Sequence, residues 1–345
     1  MLTALLLGRS DVCGMPEPTA GRFRAAPTDL GFVVTRLHDH VHVLQARSTF
    51  WPAPGNIVVI QDDVGVALID CGFGTEEGRD GVAEALSSLG LDIRAVHTVL
   101  VTHPHLDHAG GIGLFEERVR VLGPSRLGVL VANAHATAEL IFPTVLRDLA
   151  PERADLEIVE HFETDCGTSA APVATTVVEP GDVIHLGRTR WEAIPTPGHE
   201  DGMYSYFEPE LGILACSDVL AAKGTAIPWY APGGGGTAGY LAGLARIADL
   251  PVDIAVRGHG DALFGADSVA EATTITSDRI RNRTSLIRRE LTARPRSFAD
   301  LELEIYNQRV YGVIPWAASV LGTHLLEGIE DGTLRRDGDL FAAVG

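Results

Sequence analysis

The densest chemistry in the chain is the run Thr102-His103-Pro104-His105-Leu106-Asp107-His108-Ala109-Gly110-Gly111. Side chains alternate between the two faces of a strand, so three imidazoles and a carboxylate this close cannot all face one ion from a regular strand. In a strand-exit loop they diverge toward two adjacent ions. Imidazole and carboxylate are the ligands zinc takes in catalytic sites, which keep one position open for water. The glycines Gly110 and Gly111 ease the turn and let backbone approach closely.

Three further signals join this run. Thr196-Pro197-Gly198-His199 closes an apolar stretch with a histidine in a Pro/Gly turn, and Gly258-His259-Gly260 does the same after Asp253-Ile254-Ala255-Val256-Arg257. Asp218 ends the apolar run Leu211 to Ser217, where a carboxylate is out of place unless something pairs with it. His103, His105, Asp107, His108, His199, Asp218 and His259 make a ligand set for two divalent ions sharing a bridging carboxylate and a bridging water. The bland alternative is a set of unrelated loop residues. Four such motifs, each at a strand exit, make coincidence a poor account.

The elements that must position these residues follow from patterning. Residues 1–30 are aperiodic and spotted with Pro, Gly and Arg, which predicts a loose segment. From Gly31 the chain reads as short strands, with a polar turn near Asp62-Asp63 joining two of them as a hairpin. A helix is predicted up to Gly90, and residues 95–103 form an almost continuously apolar, β-branched buried strand. The stretch Asn133 to Ala150 looks helical, and residues 150–176 read as an acidic loop or cap. A second strand series begins near Thr175, and a helix is predicted from Gly239 to Pro251. Two strand series, each followed by helices, predict two β-sheets packed face to face with helices outside. After about Asp267 the pattern turns helical, with Ser297 and Asp300 spaced as a helix N-cap. Asp337-Gly338 separates two short segments that read as a terminal hairpin. The expected division is a flexible segment 1–30, a catalytic domain 31–267 and a helical, winged-helix-like domain 268–345.

Composition narrows the field. Among 345 residues, 27 Lys and Arg stand against 46 Asp and Glu, a net charge of −19, and residues 275–345 are charge-balanced. The acidic excess belongs to residues 1–274 and disfavours nucleic acid or an anionic membrane as partner. No stretch reaches the ~20 apolar residues of a membrane span. Cys13, Cys71, Cys166 and Cys216 are far apart with no CxxC, which argues against a disulfide framework or a cysteine-rich zinc site. The apolar start Met1 to Leu7 lacks a preceding basic residue and a following cleavage site, so a cytoplasmic protein is expected.

The order HxHxDH, PGH, SD and GHG resembles the metallo-β-lactamase fold superfamily, its glyoxalase-II-like hydrolases in particular, over roughly residues 31–265. The resemblance implies an α+β fold, an αββα sandwich with a dinuclear site at one edge, and a smaller C-terminal winged-helix module. It implies that His103, His105 and His199 hold one metal, that Asp107, His108 and His259 hold the other, and that Asp218 bridges them. Asp70 matches the acidic position that orients a histidine ligand. Departures from the pattern matter. β-Lactamases of this fold carry Cys where Asp218 stands, and the flavodiiron proteins replace a motif histidine by Glu. The basic residues with which glyoxalase II holds glutathione have no counterpart that can be placed.

The chemistry expected is hydrolysis by a metal-bridging hydroxide, with Asp107 and Asp218 tuning the water and relaying its proton. No GxSxG motif supplies a serine nucleophile. The leading substrate is a small-molecule or carrier-bound acyl thioester or activated ester. Rival readings are a lactonase, a phosphodiesterase or ribonuclease, and a non-catalytic metal-binding regulator. Two zinc ions are expected, with iron or manganese also compatible with the ligands. Trp229 and Tyr230 are candidates to line an acyl pocket, with Phe50 and Trp51 of similar standing. His38, His40 and His42 alternate, which predicts that they share one face of an edge strand. His135, His161 and His185 match no motif and are read as structural or exposed. A homodimer through the helical tail is the expected assembly.

Overall fold

A computed structural model describes residues 30–48, 53–116, 118–125, 175–220, 226–230, 235–306 and 315–345, with Leu127, Leu149 and Gly167. Seven strands form the first sheet in the order β1 to β7: Phe32–His38, Val41–Ala46, Ile57–Gln61, Val66–Ile69, Val96–Leu100, Arg120–Gly123 and Thr175–Val177. The second sheet has the order β13-β12-β11-β10-β9-β8. Its strands are β8 (Val183–Leu186), β9 (Thr189–Pro195), β10 (Tyr204–Glu208), β11 (Ile213–Ser217), β12 (Ile254–Arg257) and β13 (Leu263–Phe264).

Strict alternation divides the apolar side chains among three layers. Ile57, Val59, Val66 and Leu68 pack outward against helix α1 (Glu76–Ser88), with Val82 and Leu86. Val58, Ile60, Ala67 and Ile69 point inward and meet Trp191, Ala193, Tyr206, Ile213 and Ala215 of the second sheet. Phe207, Leu214 and Cys216 face outward from that sheet onto Tyr240 and Leu244 of α3 (Gly236–Ala248) and onto Val269 and Ile280 of α4 (Ala266–Ala293). The runs without polar residues in β3, β4 and β11 are therefore apolar because both of their faces are covered. The predicted sandwich is present. α1 is capped as its sequence suggests: Thr75 Oγ1 accepts from the Gly78 N–H at 3.1 Å, and Gly90 takes φ +75° just beyond its end.

A fourth core gathers Ile287 and Leu291 of α4 with Phe298 and Leu301 of α5 (Phe298–Tyr306). Leu321 and Leu325 of α6 (Pro315–Glu330) and Phe341 complete it. Three short strands, β14 (Arg296–Ser297), β15 (Leu334–Asp337) and β16 (Leu340–Ala343), form a sheet in the order β14-β16-β15. The Asp300 N–H donates to Ser297 Oγ at 3.2 Å, the expected cap, and β15 turns into β16 through Gly338 at φ +60°. The first half of α4 thus lies in the sandwich core and its second half in the C-terminal one. Among the described residues no helix is long and apolar enough to cross a membrane.

One expectation fails here. His38 ends β1 and His42 lies in β2, with Asp39-His40 forming the turn between them, so the three histidines share no strand face. His38 and His40 are exposed while His42 is buried. The tight turn breaks the alternation on which the expectation rested. His185 is exposed as expected. His135, His161, Phe50, Trp51 and most of the acidic stretch 150–176 lie outside the described residues.

Candidate metal centre

Five loops leave the strands at one edge of the sandwich. β4 delivers Asp70, β5 the run Thr102 to His108, β9 the turn to His199, β11 Ser217 and Asp218, and β12 Gly258 and His259. The two sheets are tied at this edge by Tyr204 N–H to Thr102 O at 3.0 Å and Tyr206 Oη to Val101 O at 2.8 Å. Short helix α2 (Leu106–Ala109) carries Asp107 and His108, and starts where His105 ends its extended backbone.

Three groups of ligand atoms converge: His103, His105 and His199; His103, His108 and Asp218; and Asp107, His108 and His259. Within each group the atoms lie within 4.8 Å of one another. His199 Nε2 is 3.0 Å from His105 Nδ1 and 3.3 Å from Asp218 Oδ2. Asp218 Oδ2 is also 3.8 Å from His259 Nε2, while Oδ1 is 3.5 Å from His108 Nε2. Asp107 Oδ2 lies 3.1 Å from His259 Nε2 and 3.4 Å from His108 Nε2. Ligand atoms on one tetrahedral ion with bonds of 2.0–2.1 Å stand ~3.3 Å apart. The structure brings all seven sequence-assigned residues together, six of them with a ligand atom 3.0–3.8 Å from a neighbour's, and Asp218 falls between the two histidine groups.

Hydrogen bonds on the far side of three of the rings choose the tautomer that a cation needs. His108 Nδ1 donates to Asp70 Oδ2 at 3.0 Å, His103 Nδ1 to Thr102 Oγ1 at 3.0 Å, and His199 Nδ1 to the Ile227 carbonyl at 3.1 Å. His105 Nε2 faces Glu200 Oε2 at 3.6 Å. The opposite nitrogens are thereby left bare and point inward. Among the described residues, His103 Nε2, His108 Nε2 and Asp218 Oδ1 are buried with no hydrogen-bond partner. His199 Nε2, left as an acceptor because Nδ1 donates to a carbonyl, stands 3.0 Å from His105 Nδ1. The donor set therefore fits divalent metal, and fits zinc well, since imidazole and carboxylate are its catalytic ligands.

The electrostatics divide the histidines: against the pull of burial, the carboxylates of Asp107 and Asp218 lift His108 well above the usual histidine range and raise His259. Burial, reinforced by neighbouring imidazoles, holds His103 well below the usual histidine range, and burial brings His199 down to about 4, so both are neutral as ligands must be. Burial alone would raise the carboxyls of Asp107 and Asp218, but His108 and His259 hold Asp107 well below the usual range, and with His199 they do the same for Asp218.

Several residues here carried no motif. Gly258 packs on Asp218 so closely that a Cβ would stand 1.7 Å from Oδ1, and a Cβ on Gly55 would stand 2.5 Å from His108 Cε1. Asn56 is buried and bridges both sheets: Oδ1 accepts from Ala46 N–H at 3.0 Å, and Nδ2 donates to the carbonyls of Arg257 at 2.9 Å and Gly260 at 2.7 Å. Ser217 Oγ, at a residue with φ +48°, lies 3.0 Å from Thr102 Oγ1 and 3.4 Å from Asp70 Oδ2. A Gly-rich approach and a helix-free polar network signal nothing in one dimension. The candidate pocket residues divide. The Trp229 ring lies 6.3 Å from that of His199, whereas the Tyr230 hydroxyl donates to Glu330 on α6. Tyr230 thus joins the site loop to the C-terminal core.

An αββα sandwich bearing His/Asp clusters suited to metal ions at one edge is the architecture of a class of metal-site hydrolases. Residues 51–259 match the Metallo-beta-lactamase superfamily, and the chain belongs to it. It is 26% identical over 258 residues to "Probable metallo-hydrolase YqjP" of Bacillus subtilis (strain 168), covering 70% of this chain and 78% of that protein. It is 27% identical to "Acyl-coenzyme A thioesterase MBLAC2" of Gallus gallus, over 74% of this chain and 88% of that protein. Among solved structures, a metallo-beta-lactamase family protein from Thermus thermophilus matches with a TM-score of 0.75 at 23% identity. That match covers 90% of this chain and 100% of the other, and shows the shared fold.

Proposed function

We propose that this protein is a dinuclear metal-dependent hydrolase of acyl thioesters. The observation that carries the reading is the position of Asp218 Oδ2, 3.3 Å from a ligand atom of one histidine group and 3.8 Å from a ligand atom of the other. His103, His105 and His199 would hold one ion, Asp107, His108 and His259 the second, and Asp218 both. Divalent ions there supply Lewis acidity to a carbonyl oxygen and lower the pKa of water toward neutrality.

The chain's own groups complete the chemistry. Asp107 and Asp218 stand beside the candidate ligand histidines, so a carboxylate oxygen of either would take the proton from water and pass it to the departing thiolate. Asp70, Thr102 and the Ile227 carbonyl fix the rings of His108, His103 and His199, so no reorientation is needed during turnover. Trp229 beside His199 supplies an apolar wall for an acyl chain. The similarity to an acyl-coenzyme A thioesterase over most of both chains supports a thioester as the scissile bond. The helix, strand, helix, helix, strand, strand order of the C-terminal segment supports a winged-helix module there.

Thiol release from acyl-coenzyme A and acyl-pantetheine tests the reading. Release by metal-loaded protein that vanishes with chelator and with His103→Ala is expected. Protein carrying about two metals per chain that releases no thiol, but opens lactones or cleaves phosphodiesters, replaces it.

A further inference from the structure

Outside the metal centre, the described part of this acidic chain offers one half-buried guanidinium with almost no partner. Arg283 lies on α4, and its Nη1 donates to the Ala226 carbonyl at 3.4 Å. Its Cζ stands 5.6 Å from the centre of the Tyr306 ring on α5. Among the described residues no carboxylate comes within ion-pair distance of it. A guanidinium presents five N–H donors, so most of this one's capacity is open. Burial holds its pKa below the usual arginine range, the signature of a cation without a counter-charge.

Two more polar groups with open capacity stand in the same junction of α4, α5 and α6. The Tyr306 hydroxyl and His324 Nε2 are buried and, among the described residues, have no hydrogen-bond partner. Burial, aided by the Arg283 charge, brings His324 down to about 3. His324 Nδ1 lies 3.1 Å from Thr284 Oγ1, whose proton can go to that ring or to the Ile280 carbonyl. Giving it to the ring leaves Nε2–H as a donor. The acidic side chains of α6 are engaged elsewhere, Glu327 accepting from Thr237 N–H at 2.7 Å and Glu330 from Tyr230, while Glu302 of α5 is buried near enough for its charge to act on Tyr306. Buried donors left open are costly, so a ligand that completes them is favoured.

The place of this junction says which ligand. Ala226 holds Arg283, and the next residue, Ile227, holds His199. Successive residues are about 3.8 Å apart along the chain, which places the guanidinium roughly a dozen ångströms from the metal centre. Such a separation suits a remote part of the substrate rather than the scissile bond. A planar guanidinium fork matches the oxygens of phosphate, and both the Tyr306 ring and His324 lie close enough to feel its charge.

We propose that Arg283, Tyr306 and His324 form a recognition site for a phosphate group on the thiol half of the substrate. It rests on the thioesterase reading for the identity of that substrate, though the anion site itself does not. Kinetics of the metal-loaded full chain with acetyl-coenzyme A and with S-acetyl-pantetheine, which has no phosphate, test it. Arg283→Gln is expected to raise KM for the coenzyme A thioester about tenfold, leave kcat within about twofold, and spare the pantetheine thioester. Arg283→Lys recovers part of the loss, and Tyr306→Phe, which keeps the ring under the guanidinium, raises the same KM severalfold. Equal losses on both substrates, or none on either, overturn the site. Should the wild type cleave neither thioester, the thioesterase reading fails and binding decides. Adenosine 3′,5′-bisphosphate that raises the melting midpoint of wild type but not of Arg283→Gln, with adenosine inert, supports the site. Equal behaviour of the two proteins overturns it.

Discussion

Nδ1 of His108 lies 3.0 Å from Oδ2 of Asp70, and the same carboxylate accepts from the backbone N–H of Thr102 at 2.9 Å. Asp70 adopts φ +61°, an unusual backbone for a residue with a side chain, and one that turns its carboxylate under the ring. One buried anion thus fixes both a ligand's tautomer and the loop that carries the rest.

Asp70→Asn keeps the shape and removes the charge. Metal affinity is expected to fall by about 10–100-fold, measured by competition with a chelator of known affinity. Retention of wild-type affinity would show that the tautomer of His108 is set by other groups.

Gly258→Ala places a Cβ on Asp218 Oδ1. The carboxylate must swing away, and activity is expected to fall by at least an order of magnitude, since small displacements of a positioned group are costly. Metal analysis of the purified variant should show less than the wild-type content while its circular dichroism stays native.

Asn56→Ala removes one buried acceptor and one buried amide that join β2, β3 and the loop after β12. Leaving those backbone groups unpaired costs about 2–4 kcal/mol. Urea denaturation should show a lower midpoint at an unchanged slope.

Acid stability follows from His324. Its pKa falls to about 3 in the folded chain against an ordinary 6.5, so the unfolded chain binds the extra proton between those values. Stability contributed by the neutral buried ring is fully present above pH ~6.5 and is lost as the pH falls toward ~3, at up to about 1.4 kcal/mol per pH unit. His324→Leu is expected to flatten that part of the profile in melts taken between about pH 4 and 7. An unchanged slope would place His324 in contact with water.

The seven candidate ligands were legible because each sits in a short local pattern at a strand exit, and strand exits follow from apolar runs that end in Gly, Pro or Asp. The layers were legible for the same reason: alternation in β3 and β4 assigns every residue to one face. The supporting groups were not, because their partners are far away in sequence. Asn56 and Arg257 are 201 positions apart, and Ser217 and Thr102 are 115 apart. The expectation that His38, His40 and His42 share one face fails at a two-residue turn without glycine or proline to announce it. Tyr230 reads toward the site because it neighbours Trp229, yet its hydroxyl follows the demand of Glu330 across the chain.

Helix α4 contributes Val269 and Ile280 to the core beside the second sheet, and Ile287 and Leu291 to the C-terminal core. Neither core can lose its share of this helix without the other losing a wall. The two should therefore melt in a single transition rather than one after the other. The C-terminal segment is in that sense no detachable cassette: a chain cut within α4 gives up part of the scaffold that carries His259 and Asp218.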